Sequence, residues 1–243
     1  MERVYRQRLH QEDLTHFQVV VRETDLFIGV RRDRFAPVLA REVERYVQEL
    51  RRGLESYIAG DPAFLHAMEP HPVRSGAPRL AADMAAAAAA AGVGPMAAVA
   101  GAIADHVGRF LARYSRDVFV ENGGDLFIKS ARRRLVGIYA GNSPLSNRIG
   151  VEVTPGMTPL GLCTSSGTIG HSVSFGAADA ATILASSAAL ADAVATAAAN
   201  RVKTPADLAG AVEFALSVAG VTGALAIMGD KLAVKGQLKL APL

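Results

Sequence analysis

The sequence contains little cysteine and no large excess of charge of either sign. Its single cysteine, Cys163, excludes an internal disulfide framework and is typical of a protein in a reducing compartment. Its 26 Lys and Arg residues stand against 23 Asp and Glu residues, and this surplus is too small and too evenly spread to indicate nucleic-acid binding. We therefore expect neither a disulfide scaffold nor a nucleic-acid partner.

Long uninterrupted hydrophobic runs are also missing. The longest uncharged stretch, 84–104, is mostly Ala and Gly and is broken by Gly-Val-Gly-Pro at 92–95. The opening residues, MERVYRQRLHQED, lack the apolar core of a signal peptide. The sequence therefore predicts two closely packed helices over this stretch, no membrane partner, and a cytoplasmic location.

Several catalytic signatures are absent from the sequence. It contains neither the glycine-rich P-loop ending in Gly-Lys-Ser/Thr nor a Gly-x-Gly-x-x-Gly run behind a strand. The six histidines show no zinc-binding spacing. Gly-His-Ser-Val-Ser at 170–174 differs from a nucleophile elbow because Ser174 replaces the final glycine. These absences argue against a P-loop enzyme, a zinc site and a conventional serine hydrolase.

The distribution of helical and strand patterns indicates the fold class. β-rich runs at 16–21 and 26–30 predict an opening hairpin, and Asp33 is expected to cap a long amphipathic helix over 37–59. Ala-rich helices are predicted at 79–91 and 95–114, before several short strands. Strands and helices are partly segregated, which predicts a single α+β domain over 1–243, with mixed or antiparallel sheets layered with Ala-rich helices.

The only dense basic cluster is formed by Lys129 and the arginines at 132–134, between two apolar runs. This position favours a solvated hairpin tip, with contact to an anion as the alternative.

Asp192 and Thr196 stand four residues apart in a stretch that is otherwise Ala, Leu and Val over 188–199. Four residues make about one helical turn, so both side chains leave the same face. A buried carboxylate needs a partner, and hard cations such as Mg²⁺ and Ca²⁺ accept carboxylate and hydroxyl oxygens. The pattern indicates either a cation site or an aspartate that lies at the surface or accepts hydrogen bonds from a neighbouring helix or loop.

Two glycine-containing turns carry polar side chains after predicted strands. In Glu-Asn-Gly-Gly-Asp at 121–125, the glycines allow positive φ or close approach to a ligand, and the Asn and Asp side chains suit a ribose, a phosphate or a metal-bridged group. A bare hairpin turn is the alternative. In Thr-Ser-Ser-Gly-Thr at 164–168, backbone N–H groups and hydroxyls can cradle an anion. His171 follows as a candidate acid, base or ligand, or as a residue that only hydrogen-bonds within a loop.

Taken in order, these features resemble the ApbE-like superfamily, whose best-known members are FAD:protein FMN transferases. The resemblance covers roughly 95–201, and its most specific part is the Ala-Asp-Ala-Val-Ala-Thr helix at 191–196. It also includes Gly-Ala-Ile-Ala-Asp at 101–105, Asn-Gly-Gly-Asp at 122–125 and Ser-Ser-Gly at 165–167. The resemblance implies an ApbE-like α+β fold, a nucleotide-like small-molecule ligand, and FAD and Mg²⁺ as cofactors.

The resemblance also implies roles for individual residues. Asp192 and Thr196 would bind Mg²⁺ near the FAD pyrophosphate, and His171 would be catalytic. The flavin nucleotide would lie along the two turns, at Gly123, Gly124, Asp125, Ser165, Ser166 and Gly167. The reaction would be attack of a substrate hydroxyl on the FAD diphosphate, or pyrophosphate cleavage, with the cation neutralising developing phosphate charge.

The chain differs from the family's transferases at three places, and one of them is their N-terminal methionine-rich FAD pocket, which has no clear equivalent here. Ala100 stands where they carry lysine, and Ser-Val-Ser-Phe-Gly after His171 replaces their Asp-Pro-x-Thr-Gly segment. The resemblance is therefore to a divergent branch of largely unassigned function. Two alternatives remain: a different enzyme of sulfur or cofactor metabolism, with Cys163 in a reactive centre, or a non-catalytic assembly subunit that oligomerises through its Ala-rich helices.

Overall fold

The computed structural model describes residues 11–167 and 176–243, which form an α+β fold. The helices are α1 (Pro37–Gly60), α2 (Ala63–His66), α3 (Arg79–Ala91), α4 (Val99–Leu111), α5 (Ala188–Arg201) and α6 (Leu208–Ser217). The strands are β1 (Leu14–Val21), β2 (Thr24–Arg31), β3 (Val118–Asn122), β4 (Asp125–Lys129), β5 (Arg134–Gly137), β6 (Ile149–Val153), β7 (Leu160–Ser165), β8 (Ala180–Ala185), β9 (Val221–Met228), β10 (Lys231–Gly236) and β11 (Lys239–Pro242).

The described strands form two antiparallel sheets. The larger has the order β1-β2-β3-β4-β7-β8-β9-β10, and the smaller has the order β11-β6-β5. Because successive side chains in a strand point to opposite faces, β4 sends Phe127 to one side of the large sheet and Leu126 and Ile128 to the other. Helices cover the first side and the small sheet covers the second, which confirms the predicted layering of antiparallel sheets with Ala-rich helices.

Helix α5 lies at the centre of the helical layer and contacts α3, α4, α6, β7 and β8. Its buried face is almost entirely alanine, because larger side chains would hold these neighbours apart. The approach to β7 is close enough that a Cβ added to Gly161 would lie 2.4 Å from the Cα of Ala188. Ser187 caps the helix, since its side chain accepts a hydrogen bond from the Leu190 N–H at 3.2 Å.

One local expectation is wrong and another holds only in part. Asp33 does not cap α1: it lies in a short 3₁₀ turn (Arg32–Arg34) and bonds Arg31, while α1 begins after Ala36 with Pro37 as its first residue. The basic cluster is only partly a solvated turn. Arg134 is buried and makes a bidentate ion pair with Asp13, whereas its neighbours at 132 and 133 are exposed.

The predicted helix over 95–114 is divided into a 3₁₀ turn (Pro95–Ala98) and α4. Within 11–167 and 176–243, no single helix has both the length and the apolar character needed to cross a membrane. The helices at Arg79–Ala91 and Pro95–Leu111, bent by 103°, meet that criterion as a pair, by length and composition only.

Candidate functional site

Asp192 lies on the buried face of α5, where it meets the beginning of α4. The Gly101 N–H of α4 donates a hydrogen bond to Asp192 Oδ2 at 2.9 Å. The helices touch here: a Cβ added to Gly101 would lie 2.2 Å from the Ala188 oxygen and 2.7 Å from the Asp192 Cβ. Asp192 thus satisfies an amide that has no partner within α4, as the neighbouring-helix interpretation anticipated.

Asp105 makes the opposite contact, from α4 to α5. Its Oδ2 accepts a hydrogen bond from the Ala189 N–H, at the beginning of α5, at 3.0 Å. Each helix therefore uses a carboxylate from its neighbour to satisfy an amide at its own N-terminus, where the helix dipole also favours negative charge. We refer to Asp105 and Asp192 with these two amide contacts as the reciprocal cap.

Asp125 approaches the same region from the sheet. It is the first residue of β4 and has the same orientation as Phe127, toward the helices. Burial, and then the negative charge of Asp192, raise the pKa of the Asp125 carboxyl well above its ordinary value. Burial likewise raises the pKa of Asp192 to about 7, against the opposing effect of hydrogen bonds from the Gly101 and Ala100 amides. The charge of Asp192 therefore acts on the Asp125 carboxyl across the contact between α5 and β4.

Cys163 lies on β7 directly opposite Asp125 and is fully buried. Its thiol donates a hydrogen bond to the Ala188 oxygen at 3.3 Å. Burial, together with the negative charges of Asp125, Asp192 and Asp105, raises the pKa of the thiol well above its ordinary value. A reactive cysteine requires the thiolate, so this environment disfavours a reactive centre at Cys163.

The glycine turn between β3 and β4 lies at the edge of this buried group. Gly123 and Gly124 have φ of +71° and +110°, so the tight connection from Asn122 to Asp125 requires glycine at both positions. The Gly124 N–H donates to Glu121 Oε1 at 2.9 Å, and Asn122 Nδ2 donates to the Ala100 oxygen of α4 at 3.1 Å. The glycines thus have a clear role as a hairpin turn, which does not conflict with a role in ligand binding.

The turn after β7 lies at the same end of the sheet. The antiparallel register of Asp125 with Cys163 brings Gly124 beside Thr164, and a Cβ added to Gly124 would lie 3.5 Å from the Thr164 oxygen. Ser165, Ser166 and Gly167 continue from there as half-buried residues, and the Gly167 N–H donates to the Ala178 oxygen at 2.8 Å.

The last turn of α5 contacts Gly176, which in turn contacts Gly167. A Cβ added to Gly167 would lie 2.1 Å from the Gly176 oxygen, and one added to Gly176 would lie 1.8 Å from the Ala199 oxygen. The beginning of α5 therefore contacts β7 at Gly161, and its end contacts Gly176, which precedes β8. Thr196, half-buried, lies one turn beyond Asp192, between these two contacts.

Most of the predicted site residues are thus brought to one end of the large sheet. Asp125 and Asp192 are buried, whereas Thr196 and both turns are at least partly accessible. His171 lies outside the described residues. Sequence reasoning missed the structural role of Asp105, although its spacing of four from Gly101 on one helix face was visible in the sequence.

The oxygen atoms of Asp192 and Thr196 suit a divalent cation that also binds oxygens of a small-molecule ligand. Asp192 uses one carboxylate oxygen for Gly101, and the Thr196 hydroxyl is one turn away. Across 11–167 and 176–243, no group of three or more His, Cys, Asp or Glu side chains is arranged to hold a metal. Mg²⁺ is commonly held by one or two carboxylates together with substrate phosphates, so a set of this size fits it.

Comparisons with known proteins identify similar sequences and folds. The family model described as AbpE bacteria matches residues 6–229. The chain is 45% identical to a UPF0280 protein of Methanocella arvoryzae over 193 residues, which cover 79% of this chain and 78% of that protein. It is 47% identical to a UPF0280 protein of Methanoculleus marisnigri over 189 residues, covering 77% and 76%.

Solved structures of flavin transferases share the fold. The flavin transferase ApbE from Vibrio cholerae aligns with a TM-score of 0.53 and 13% identity, covering 92% of this chain and 96% of that chain. The apo flavinyl transferase ApbE of Pseudomonas stutzeri aligns with a TM-score of 0.53 and 15% identity, covering 94% and 96%. At these identities the likeness shows the fold alone.

Proposed function

The chain belongs to the AbpE bacteria family, and on that premise we propose that it binds a flavin nucleotide or a related phosphorylated ligand through a divalent cation. The resemblance to the ApbE-like superfamily is confirmed by the family match and by the shared fold. The nature of the ligand and of the cation is our proposal, supported by the chemistry of the residues at the end of the large sheet.

One observation carries the proposal: two buried carboxyl groups, Asp125 and Asp192, lie beneath two turns whose backbones are partly accessible. Burying two negative charges together is costly unless a cation or a proton offsets them. An Mg²⁺ ion would offset them, and it would leave coordination positions for ligand oxygens because the protein supplies few.

The residues at this end of the sheet would have separate roles in binding. Asp192 and Thr196 would hold the cation, and Asp125 would add negative charge beneath it. The Gly123–Gly124 and Ser165–Gly167 turns would lie along the ligand, because the two glycines leave the backbone open to close approach. When bound, the cation would supply neutralisation of phosphate charge at a diphosphate.

Ligand binding is tested by calorimetric titration of the full chain with FAD, FMN and riboflavin, each in Mg²⁺ and in EDTA. Riboflavin is the matched control because it has the same ring system without phosphate. We expect FAD and FMN to bind in Mg²⁺, with at least about tenfold weaker binding in EDTA, a difference of about 1.4 kcal/mol. Equal binding of riboflavin, or no binding of any flavin, would overturn the proposal.

We propose further that the bound ligand undergoes flavin transfer or pyrophosphate cleavage. In either case an acceptor hydroxyl or water oxygen forms a bond to the FMN phosphorus while the bond from that phosphorus to the bridging oxygen breaks. AMP leaves with the bridging oxygen, and the hydroxyl or water proton passes to solvent. Chromatographic detection of AMP from FAD and Mg²⁺, with and without hydroxyl-bearing protein acceptors, separates the two. Absence of AMP under both conditions would limit the function to binding.

A further inference from the structure

We propose that Asp105 is the positioning residue of the cation site, because it holds α5 in the register that presents Asp192 to Asp125 and to the ligand. This inference rests on the proposed function. It adds a residue that acts through α5 and is not itself a ligand of the cation.

Two hydrogen bonds join α4 and α5 at different points along α5. Helix α5 packs against α3, α4, α6, β7 and β8, and within that packing the bond from Gly101 to Asp192 joins it to α4 at one point. The bond from Ala189 to Asp105 lies almost one turn away along α5, so it adds a second point that constrains rotation of α5 about the first. The two bonds of the reciprocal cap together set both the position and the rotation of α5 relative to α4.

Helices α4 and α5 are in close contact at Gly101. Because Gly101 has no side chain, α4 approaches the Ala188 oxygen more closely than an alanine at 101 would permit. The same end of α5 is fixed to the sheet, since the Cys163 thiol donates to the Ala188 oxygen. Asp105 therefore acts on the part of α5 that packs against both α4 and β7, just before Asp192.

Among the described residues, Asp105 is a buried carboxyl group with one unsatisfied oxygen. Asp105 is only 5% exposed, and its second oxygen, Oδ1, has no hydrogen-bond partner within the described part of the chain. A carboxylate is an expensive choice for such a place, because desolvation opposes its charge. Asp105 makes its one strong contact with the N-terminus of α5, the helix that carries Asp192. It is therefore placed to orient Asp192, and residues that orient a metal ligand affect metal affinity.

The test compares three variants by calorimetric titration of Mg²⁺ in the presence of FAD, with the melting temperature measured in parallel. Asp105→Ala removes the acceptor for Ala189. Asp105→Asn removes the charge but keeps an oxygen acceptor. Ser187→Ala is the matched control, because it removes another cap from the same end of α5 without touching α4.

We expect the Mg²⁺ dissociation constant to rise at least about tenfold in Asp105→Ala. It should stay within about twofold of the wild type in Asp105→Asn and in Ser187→Ala, although the latter also loses a cap. Unchanged Mg²⁺ affinity in folded Asp105→Ala would overturn the inference. So would an equal loss in Asp105→Asn, since the effect would then come from charge and not from the hydrogen bond.

If Asp105→Ala does not fold, Asp105→Asn still tests the inference. Retained Mg²⁺ affinity in this variant supports the hydrogen bond as the positioning contact, and tenfold weaker affinity overturns the inference. Failure of the proposed function has a different signature, because the wild type itself would then show no Mg²⁺-dependent binding of FAD.

Discussion

The backbone N–H of Gly101 donates a hydrogen bond to Asp192 Oδ2 at 2.9 Å, within a contact between α4 and α5 that excludes any side chain at residue 101. This bond gives Asp192 a structural role whether or not it binds a cation. Substitutions that keep the hydrogen bond therefore separate the structural role from the proposed functional role more cleanly than deletion of the side chain does.

Substitution of Gly101 tests the helix contact. A Cβ at this position would lie 2.2 Å from the Ala188 oxygen, so Gly101→Ala should lower the free energy of unfolding by roughly 1–3 kcal/mol in urea denaturation. Gly210→Ala in α6 is the control, since a Cβ there meets nothing within 4 Å. It should raise the free energy of unfolding by about 0.5–1 kcal/mol. Similar effects of the two substitutions would contradict the described contact.

The fold class and most element positions could be predicted because they depend on local patterns. Helix α3 has the predicted bounds, since its alanine-rich composition and the glycine that follows it delimit the helix. Arg134 could not be assigned to the interior, because its partners at 13 and 117 are distant in sequence. Asp33 was misassigned because its pairing with Arg31 competes with helix capping.

The residues of the candidate site could be predicted from the sequence, but the contacts among them could not. The spacing of Asp192 and Thr196 and the glycine pair were visible as motifs. The reciprocal cap was not, because it requires the antiparallel register of α4 on α5. The effect of three nearby aspartates on Cys163 likewise depends on packing among α4, α5, β4 and β7.

Stability should depend on pH through the buried carboxyls. The pKa of Asp192 is raised from 3.8 to about 7, so the folded state retains a proton that the unfolded state has released. In EDTA, the contribution of Asp192 to the free energy of unfolding should therefore fall as pH rises from about 4 to about 7 and then level off. Carboxyls with lowered pKa, such as Asp117, lose their stabilising effect as pH falls below about 4, outside this window.

The measurement is the melting temperature between pH 4.5 and 8 for the wild type and Asp192→Asn. The variant should lose part of the slope, while Asp125, whose pKa is also raised, supplies the remainder. Identical slopes in the two proteins would contradict the assignment to Asp192.

Cys163 should be inert in the native protein. Its thiol is fully buried and its pKa is raised by burial and by nearby aspartates, so little thiolate forms. Labelling with a thiol reagent at pH 8 should be slower by orders of magnitude than in denaturant. Rapid labelling of the folded protein would favour the alternative in which Cys163 belongs to a reactive centre.

Arg134 should be important for stability although it lies far from the site. Its guanidinium bonds both oxygens of Asp13, at 2.6 and 2.8 Å, and lies 3.2 Å from the buried Asp117. Arg134→Ala leaves Asp117 buried without this partner and should cost about 3–5 kcal/mol in urea denaturation. Arg132→Ala, at an exposed side chain 3.6 Å from the same Asp13, should cost about 0–1 kcal/mol. Equal losses would contradict the network.

The proposed cation site is tested most directly by the FAD affinity of Asp192→Asn, measured by calorimetry in Mg²⁺ and in EDTA beside the wild type. The asparagine keeps an oxygen for the Gly101 N–H, so the variant should fold, but it lacks the charge that a cation requires. We predict that the wild type binds FAD at least about tenfold more tightly in Mg²⁺ than in EDTA, and that the variant loses this difference. A folded variant with the same Mg²⁺ dependence as the wild type would contradict the account.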